Sequence, residues 1–395
     1  MTAEVFAPAR LGPVTLPNRV VKAATFEGRT PDALVTPELI DFHRRHAAGG
    51  VGMTTVAYLA VSPEGRTHRQ QIWLREEAVP GLRRLTDAVH AEGAAAAAQI
   101  GHAGPVANAA SNRSAAIAPG KAFSPLGFRM TKAATEADLE RIVTAHADAA
   151  LLAAESGFDA VEIHCGHNYL VSAFLSPRLN RRDDRHGGGL ANRARLALDV
   201  TRAVRDAVGD RVAITAKLNM SDGVRGGLGL EESLQVAAWL ERDGTVDALE
   251  LTAGSSLLNP MYLFTGDAPV REFAAAFPPP LRWGLRLGGR AFLRRYEFRE
   301  AYLLPKARRF LAELRLPLIL LGGVTRRETM DDAVAEGFAF VAMARALLRE
   351  PDLPRRLRST PDTPSLCTHC NKCMPTIYRG THCVLGSGPL GPPEP

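Results

Sequence analysis

The sequence lacks the features that mark several special classes of protein. It has no uninterrupted run of about eighteen apolar residues, so no membrane span is predicted. The N-terminus shows no charged segment followed by an apolar one, the pattern of a secretory signal. Aromatic residues make up only 6% of the 395 residues, whereas 46% are hydrophobic and 23% charged, which is typical of a globular protein. We therefore expect a cytoplasmic protein without a membrane partner.

Lysine is also scarce. Only six of the 48 basic residues are lysines, and the net charge is +6. Most arginines stand singly beside acidic residues in helical segments such as 231–242, which favours solvated helix faces over a nucleic-acid surface. We therefore expect no nucleic-acid partner. A local surplus of six arginines within 282–299 leaves an acidic substrate or partner open there.

Short apolar runs alternate with amphipathic runs along most of the chain. This rhythm predicts an α/β fold, a closed parallel (β/α)8 TIM barrel over residues 1–350. Residues 351–395 then form a proline-rich link and a short cysteine-rich C-terminal extension. The predicted strands lie near 19–24, 51–57, 94–100, 158–164, 211–217, 246–252, 317–322 and 338–343. The predicted helices lie near 36–48, 80–92, 136–156, 190–208, 231–243, 300–313 and 326–336, with one more from about 345.

A cluster of polar side chains follows the fourth predicted strand. His164, His167, Asn168 and Tyr169 come directly after an apolar run, at the strand end where a barrel of this kind builds its active site. Two imidazoles and a phenol in this position can hold a carbonyl oxygen and supply a proton beside it. We therefore predict His164, His167 and Tyr169 as catalytic residues.

The stretch from 158 to 193 resembles the Old Yellow Enzyme family of NADH:flavin oxidoreductases over more than twenty residues, including Tyr-Leu, Phe-Leu-Ser-Pro and Asp-x-x-x-Gly-Gly. The resemblance implies FMN as cofactor, NAD(P)H as reductant and an ene-reductase activity on a small enone or enoyl substrate. His164 and His167 would then bind the carbonyl oxygen, hydride would pass from flavin N5 to Cβ, and Tyr169 would protonate Cα.

Other strand ends carry the segments that the resemblance places around the flavin. Lys217, at the fifth, would supply a cation near the flavin N1 and C2 carbonyl, where reduced flavin develops negative charge. Gln99 has an amide that both donates and accepts, which suits the pyrimidine edge. The predicted ring-binding residues are Ala24, Thr25, Phe26, Ala57, Gln99 and Lys217.

The last two strand ends predict a phosphate site. Gly322 and Gly323 follow the seventh strand, while Ala344 and Arg345 follow the eighth. Barrels commonly bind phosphate there, through exposed backbone N–H groups and a helix N-terminus. No Gly-x-Gly-x-x-Gly fingerprint is present, which favours FMN over FAD or a tightly held NAD.

Four of the five cysteines, namely Cys367, Cys370, Cys373 and Cys383, lie within seventeen residues near the C-terminus. In a cytosolic protein this spacing favours a metal or iron–sulfur site over disulfides. The run resembles the [4Fe–4S] segment of 2,4-dienoyl-CoA reductases, although two spacings differ; zinc and unligated thiols remain alternatives. Cys165, inside the active-site stretch, is predicted to point away from the substrate and to pack inertly.

Two other functions remain open from the sequence. The histidines of a barrel can hold a metal for hydrolysis, although no third ligand at a suitable spacing follows them. The chain can also be an electron-transfer flavoprotein subunit that works with a separate NAD(P)H-oxidising partner or electron-donor protein. A homo-oligomer stays open as well, and the sequence identifies neither the physiological substrate nor the choice between NADH and NADPH.

Overall fold

The computed structural model describes residues 4–124, 126–277 and 279–386. Its centre is a closed barrel of eight parallel strands in which neighbours in the chain are neighbours in space. The first and eighth strands pair through Ala342 and Val21, which closes the cylinder. The predicted TIM barrel is confirmed. The strands are β1 Val20–Phe26, β2 Met53–Ala60, β3 Ala95–Gly101, β4 Ala160–Cys165, β5 Ala213–Asn219, β6 Ala248–Thr252, β7 Leu318–Leu320 and β8 Phe340–Met343.

Helices cover the outside of the barrel close to where the sequence predicts them. Thr135 begins the third with a capping box, in which its hydroxyl and the Asp138 carboxylate satisfy each other's backbone N–H groups. The sixth begins four residues later than predicted, with Pro305 in its first turn. The helices are α1 Pro37–Ala48, α2 Val79–His90, α3 Glu136–Glu155, α4 Leu190–Val208, α5 Leu230–Asp243, α6 Leu304–Glu313, α7 Arg327–Glu336 and α8 Arg345–Arg349.

Strand alternation sorts the side chains into two environments. On β4, the apolar Val161 and Ile163 pack outward against the helices, whereas Glu162 and His164 take the opposite parity and face the barrel interior. The same parity on β5 and β6 places Lys217, Glu250 and Thr252 inside. Polar side chains therefore accumulate in the barrel toward the carboxyl ends of the strands.

The opposite end of the barrel is apolar and closed. Small residues such as Ala97, Ala160 and Ala213 line it, and they pack against Leu11 and Leu16. These leucines belong to a two-stranded antiparallel ribbon, Ala9–Leu11 and Val14–Leu16. As far as the described residues go, the carboxyl-end face is therefore the open end of the barrel for a ligand.

Additional elements surround that open face. The long segment 253–299 contains helices at Pro260–Leu263, Val270–Ala275 and Pro279–Phe292. A hairpin pairs Phe123–Ser124 with Arg129–Met130, and Ile117–Ala118 pairs with Lys132–Ala133. Short helices cover Ala109–Asn112 and Leu170–Leu175, and 3-10 turns lie at Pro63–Gly65, Glu76–Ala78 and Gly104–Val106.

The segment after the barrel packs back onto it. A helix at Leu353–Ser359 interrupts the predicted link, and a 3-10 turn covers Met374–Tyr378. The backbone N–H of Thr381 donates to the carbonyl of Glu27 at 2.7 Å, next to the end of β1. The last nine residues of the predicted extension, 387–395, lie outside the described residues. Within the described ranges, no helix has the length and apolarity needed to cross a membrane.

Candidate active site

A cavity of about 330 Å³ opens at the carboxyl ends of the strands. The long segment 253–299 supplies part of its wall through Phe264, Phe273, Phe277 and Phe292. The structure brings every residue predicted for catalysis or cofactor binding to this one cavity. They are Ala24, Thr25, Phe26, Ala57, Gln99, His164, His167, Tyr169, Lys217, Gly322, Gly323, Ala344 and Arg345.

The ring of His164 contacts the other two predicted catalytic side chains. The His164 ring centroid is 4.4 Å from that of Tyr169 and 5.1 Å from that of His167. Nδ1 of His164 is buried and has no hydrogen-bond partner among the described residues. The cluster thus presents two imidazoles and a phenol to one point of the cavity.

The pKa values of both imidazoles are lowered, which favours their neutral forms. Burial, followed by the nearby positive charge of Lys217, lowers the pKa of His167 to about 3. Burial and the neighbouring His167 hold the pKa of His164 well below its usual value. A neutral imidazole donates through only one of its two nitrogens. Which nitrogen carries the proton on each ring therefore decides what the pair can bind.

Tyr58 also lines the site, although we did not predict it. Its ring stands edge-on to Tyr169 at 5.3 Å between centroids, and its hydroxyl donates to the carbonyl of Gly65. Burial, followed by the charge of Tyr169, holds its pKa well above the usual value. Tyr58 therefore packs against Tyr169, while its own hydroxyl proton is used in the hydrogen bond to Gly65. Its position at the carboxyl end of β2 was the only sequence signal.

The predicted flavin-facing lysine donates hydrogen bonds to two carboxylates that we did not predict. Nζ of Lys217 donates to Glu162 at 3.0 Å and to Glu250. Burial alone would lower the pKa of Lys217, but the two glutamates raise it. The lysine therefore belongs to a buried network of ionisable side chains. Both glutamates lie at strand positions that face the barrel interior, as Lys217 does. This alternation along the strands could have revealed them from the sequence.

The same network orients the predicted glutamine. Nε2 of Gln99 donates to Glu162 at 2.7 Å. This bond leaves the Gln99 carbonyl oxygen toward the cavity as an acceptor. Thr25 also lines the cavity, and its hydroxyl is buried without a hydrogen-bond partner among the described residues. The cavity lining thus contains an acceptor and an unsatisfied hydroxyl.

Two glycines with positive φ lie at the predicted phosphate end. Gly322 and Gly323 adopt φ angles of +112° and +81°, a conformation that favours glycine. The two residues before α7 donate their backbone N–H groups to a side chain. The carboxylate of Glu300 accepts from the backbone N–H of Thr325 at 2.6 Å and of Arg326 at 3.2 Å. These two N–H groups are therefore already engaged.

Arg345 connects the cavity to the cysteine-rich segment. Its Nη1 donates to the carbonyl of Thr265 at 2.8 Å and to the side chain of Asn371. It lines the large cavity and a second cavity of about 20 Å³. The four predicted metal ligands Cys367, Cys370, Cys373 and Cys383 all line this second cavity.

The thiols converge without forming a ligand sphere. Among the described residues, no group of three or more His, Cys, Asp or Glu side chains is arranged to hold a metal ion. Cys373 alone among the four also lines the large cavity. Cys165, by contrast, is fully buried in the outer core, where burial raises the pKa of its thiol to about 12. Inert packing is confirmed for Cys165.

Known proteins resemble this chain along most of its length. A 4,4'-dithiodibutanoate disulfide reductase of Rhodococcus erythropolis is 55% identical over 384 residues, which are 97% of this chain and 95% of that protein. The structure of a 2-naphthoyl-CoA reductase complex aligns with a TM-score of 0.83 at 25% identity. That alignment covers 98% of this chain but only 57% of the other.

An Old Yellow Enzyme homologue from Zymomonas mobilis shares the fold, with a TM-score of 0.71 at 23% identity over 93% of this chain and 96% of that one. The family described as NADH:flavin oxidoreductase / NADH oxidase matches residues 4–255. These residues carry the His164 cluster and six of the eight predicted strand ends, including the four that hold the predicted ring-binding side chains. The chain belongs to the NADH:flavin oxidoreductase / NADH oxidase family, as its resemblance to Old Yellow Enzyme predicts.

Proposed function

We propose that this chain is an FMN-dependent NAD(P)H oxidoreductase that reduces the C=C bond of small α,β-unsaturated carbonyl compounds. The observation that carries the proposal is the shared cavity. His164, His167 and Tyr169 meet at one of its walls, and the predicted flavin-binding residues line the remainder. Family membership supports FMN and NAD(P)H as the cofactor and the reductant.

The residues present fit FMN chemically. The unsatisfied hydroxyl of Thr25 and the free carbonyl of Gln99 match the mixed donors and acceptors of a flavin ring. Gly322, Gly323 and Ala344 carry no bulky side chain, and Arg345 supplies a cation beside them. We propose that these four residues hold the phosphate and that Lys217 lies at the ring.

Bound FMN would supply hydride transfer from NAD(P)H to the substrate, and the overall reaction balances as NAD(P)H + H⁺ + enone giving NAD(P)⁺ and the saturated carbonyl compound. The chain supplies the remaining steps. His164 and His167 donate hydrogen bonds to the carbonyl oxygen and draw electron density from the double bond. Tyr169 delivers the proton to Cα, and Tyr58 holds its ring in place.

Anaerobic stopped-flow measurements on the FMN-loaded chain test this function. We expect NAD(P)H to bleach the flavin absorbance and 2-cyclohexenone to restore it, with cyclohexanone as the product. His164→Ala should weaken 2-cyclohexenone binding while NAD(P)H still reduces the flavin. A chain that stays colourless after incubation with FMN contradicts the proposal.

A second candidate substrate class is supported by one comparison. The disulfide reductase of Rhodococcus erythropolis matches this chain at 55% identity over nearly the full length of both. We propose small organic disulfides as this second class. The balance is RSSR + NAD(P)H + H⁺ giving two RSH and NAD(P)⁺, with Tyr169 protonating the thiolate that leaves.

One competition assay separates the two classes. The reduced, FMN-loaded chain is mixed with 2-cyclohexenone or with 4,4'-dithiodibutanoate, and the reoxidation rates are compared. Faster reoxidation by the disulfide, with stoichiometric release of thiol, makes disulfide reduction the main activity. Faster reoxidation by the enone leaves the C=C activity as the main one.

We also propose that Cys367, Cys370, Cys373 and Cys383 hold one metal centre, a [4Fe–4S] cluster or zinc. Their convergence on one small cavity supports this, although the thiols are not arranged around a single ion in the structure. Thiolates are ligands for both centres. Elemental analysis of protein prepared without oxygen decides the matter. A content of neither iron nor zinc near one centre per chain would leave plain thiols.

A further inference from the structure

We propose that Thr252 is a positioning residue that fixes which ring nitrogen of His167 carries the proton. No role in binding or proton transfer has been given to Thr252 above, and it does not line the large cavity. Its place at the end of β6, inside the barrel, puts it behind the His167 ring. The inference rests on the proposed function, since it concerns how His167 donates to a substrate oxygen.

The contact between the two side chains is direct. Oγ1 of Thr252 lies 2.9 Å from Nε2 of His167, and Thr252 is fully buried. The bond occupies Nε2 and leaves Nδ1 as the ring nitrogen available to a ligand. Because burial keeps the imidazole neutral, only one of its nitrogens holds hydrogen.

The direction of the bond follows from the chemistry required. If Nε2–H donated to Thr252, Nδ1 would be an acceptor and could not donate to a carbonyl oxygen. If the Thr252 hydroxyl donates, Nδ1 keeps its hydrogen and His167 can hold the oxygen. Under the proposed function the Thr252 hydroxyl therefore donates to Nε2, because the hydrogen bond at one ring nitrogen sets which nitrogen carries the proton.

Close packing fixes the Thr252 side chain. A Cβ placed on Gly166 would lie only 3.1 Å from Cγ2 of Thr252, so the methyl group packs against the bare glycine backbone. A larger residue at position 166 would therefore displace the Thr252 side chain.

The backbone of the histidine turn is held from the neighbouring strand. His167 and Asn168 both adopt φ +59°, an uncommon conformation for residues other than glycine. Oδ1 of Asn219 accepts from the backbone N–H of His167 at 3.1 Å. Oδ1 of Asp222 accepts from the amide groups of Asn168 at 3.1 Å and Asn219 at 3.0 Å.

All of these anchors are buried. Asn168, Asn219 and Asp222 are fully inaccessible, and Oδ2 of Asp222 accepts from the backbone N–H of Leu228 at 2.9 Å. The turn is thus held at its backbone by the loop after β5 and at its ring by β6. With the backbone fixed, replacing the Thr252 hydroxyl should change the proton position more than the ring position.

Nitrogen NMR of the FMN-loaded chain with ¹⁵N-labelled histidine reads the tautomer directly, and loss of a signal in His167→Gln assigns it. We expect the Nδ1–H form in the parent chain and in Thr252→Ser, and a shift toward Nε2–H in Thr252→Val. Thr252→Val should also weaken binding of 4-hydroxybenzaldehyde, followed by flavin absorbance, at least fivefold without changing FMN content.

Thr54→Val is the matched control, because Thr54 makes the same kind of buried bond to His43, at 2.8 Å and away from the cavity. It should leave the His167 tautomer and aldehyde binding unchanged. An Nε2–H form in the parent chain, or an unchanged tautomer in Thr252→Val, overturns the inference. If the parent chain binds FMN but no 4-hydroxybenzaldehyde, the proposed function fails at this site, and the NMR result still decides the role of Thr252.

Discussion

The histidine cluster and the cysteine segment make an instructive comparison. Both place several reactive side chains close together in sequence. His164 and His167 leave a barrel strand, and strands β5 and β6 hold the turn through Asn219 and Thr252. The cysteines lie on a segment outside the barrel, and they converge on a cavity without forming a ligand sphere. The difference shows that strand register can fix a site's geometry from protein contacts alone.

The two regions touch through a small set of contacts. Arg345 at the end of the barrel donates to Asn371 between the cysteines, and Cys373 lines the flavin cavity. Asn371 itself donates to the carbonyl of Asp267 at 2.9 Å. Variants in the histidine cluster, in the cysteine segment and at Arg345 between them can therefore test the comparison.

The largest effect is expected within the histidine cluster. Tyr169→Phe removes the proposed proton donor while Tyr58 still supports the ring. We expect flavin reoxidation by 2-cyclohexenone to slow by about 10²- to 10⁴-fold, the usual contribution of a positioned acid. Reduction by NAD(P)H should change little. Single-turnover kinetics measure both steps, and slowing confined to the NAD(P)H step would refute the assignment.

The buried network below the flavin site should be visible in the pH dependence of stability. Burial, followed by repulsion from Glu162, raises the pKa of Glu250 to about 7. Because the folded pKa lies above the unfolded value, this contribution is fully present below about pH 4.5 and is lost as pH rises through 7. The loss is about 3 kcal/mol at most.

Glu250→Gln should remove that part of the pH dependence. Denaturant unfolding at several values between pH 5 and pH 8 measures it in both proteins. The pKa of Glu27 is also raised to about 7 by burial. Because Glu27 is present in both proteins, its contribution to the pH dependence cancels in the difference between them. Parallel stability curves for the two proteins would contradict the raised pKa of Glu250.

An intermediate effect is expected at the residue that joins the two regions. Arg345→Ala should weaken FMN binding by about 1.5 to 3 kcal/mol, the scale of a hydrogen bond to a charged group. Fluorescence titration of apoprotein with FMN measures the change. Arg349→Ala is a suitable control, since Arg349 follows in α8 but does not line the large cavity. Equal losses in both variants would remove Arg345 from the phosphate site.

The smallest effect is expected between the regions. Cys370 lines the small cavity but not the large one. Its replacement by serine should abolish the metal centre and leave 4-hydroxybenzaldehyde binding almost unchanged. In the double variant with Tyr169→Phe, the free-energy changes of the two single variants should add within about 0.5 kcal/mol, as they do for independent sites. A larger coupling energy in the double-mutant cycle would show that the two regions act as one site.

The sequence by itself determined the barrel and the position of its chemistry. The alternation of apolar and amphipathic runs requires β/α units, and polar residues directly after apolar strands must lie at the carboxyl-end face. His164, Gln99, Lys217 and Gly322 could therefore be assigned to one site before any coordinates. Their order along the chain was sufficient because each follows its own strand.

Only the tertiary structure decided how those residues are paired. Register across β4, β5 and β6 brings Glu162, Lys217 and Glu250 together, residues that lie 33 or more positions apart. Tertiary packing also places the carboxylate of Glu300 on the backbone N–H of Thr325, 25 positions further along the chain. Periodicity along one strand tells which face a side chain occupies. Hydrogen-bond partners depend on the relative shift between strands, and the closed barrel fixes that shift.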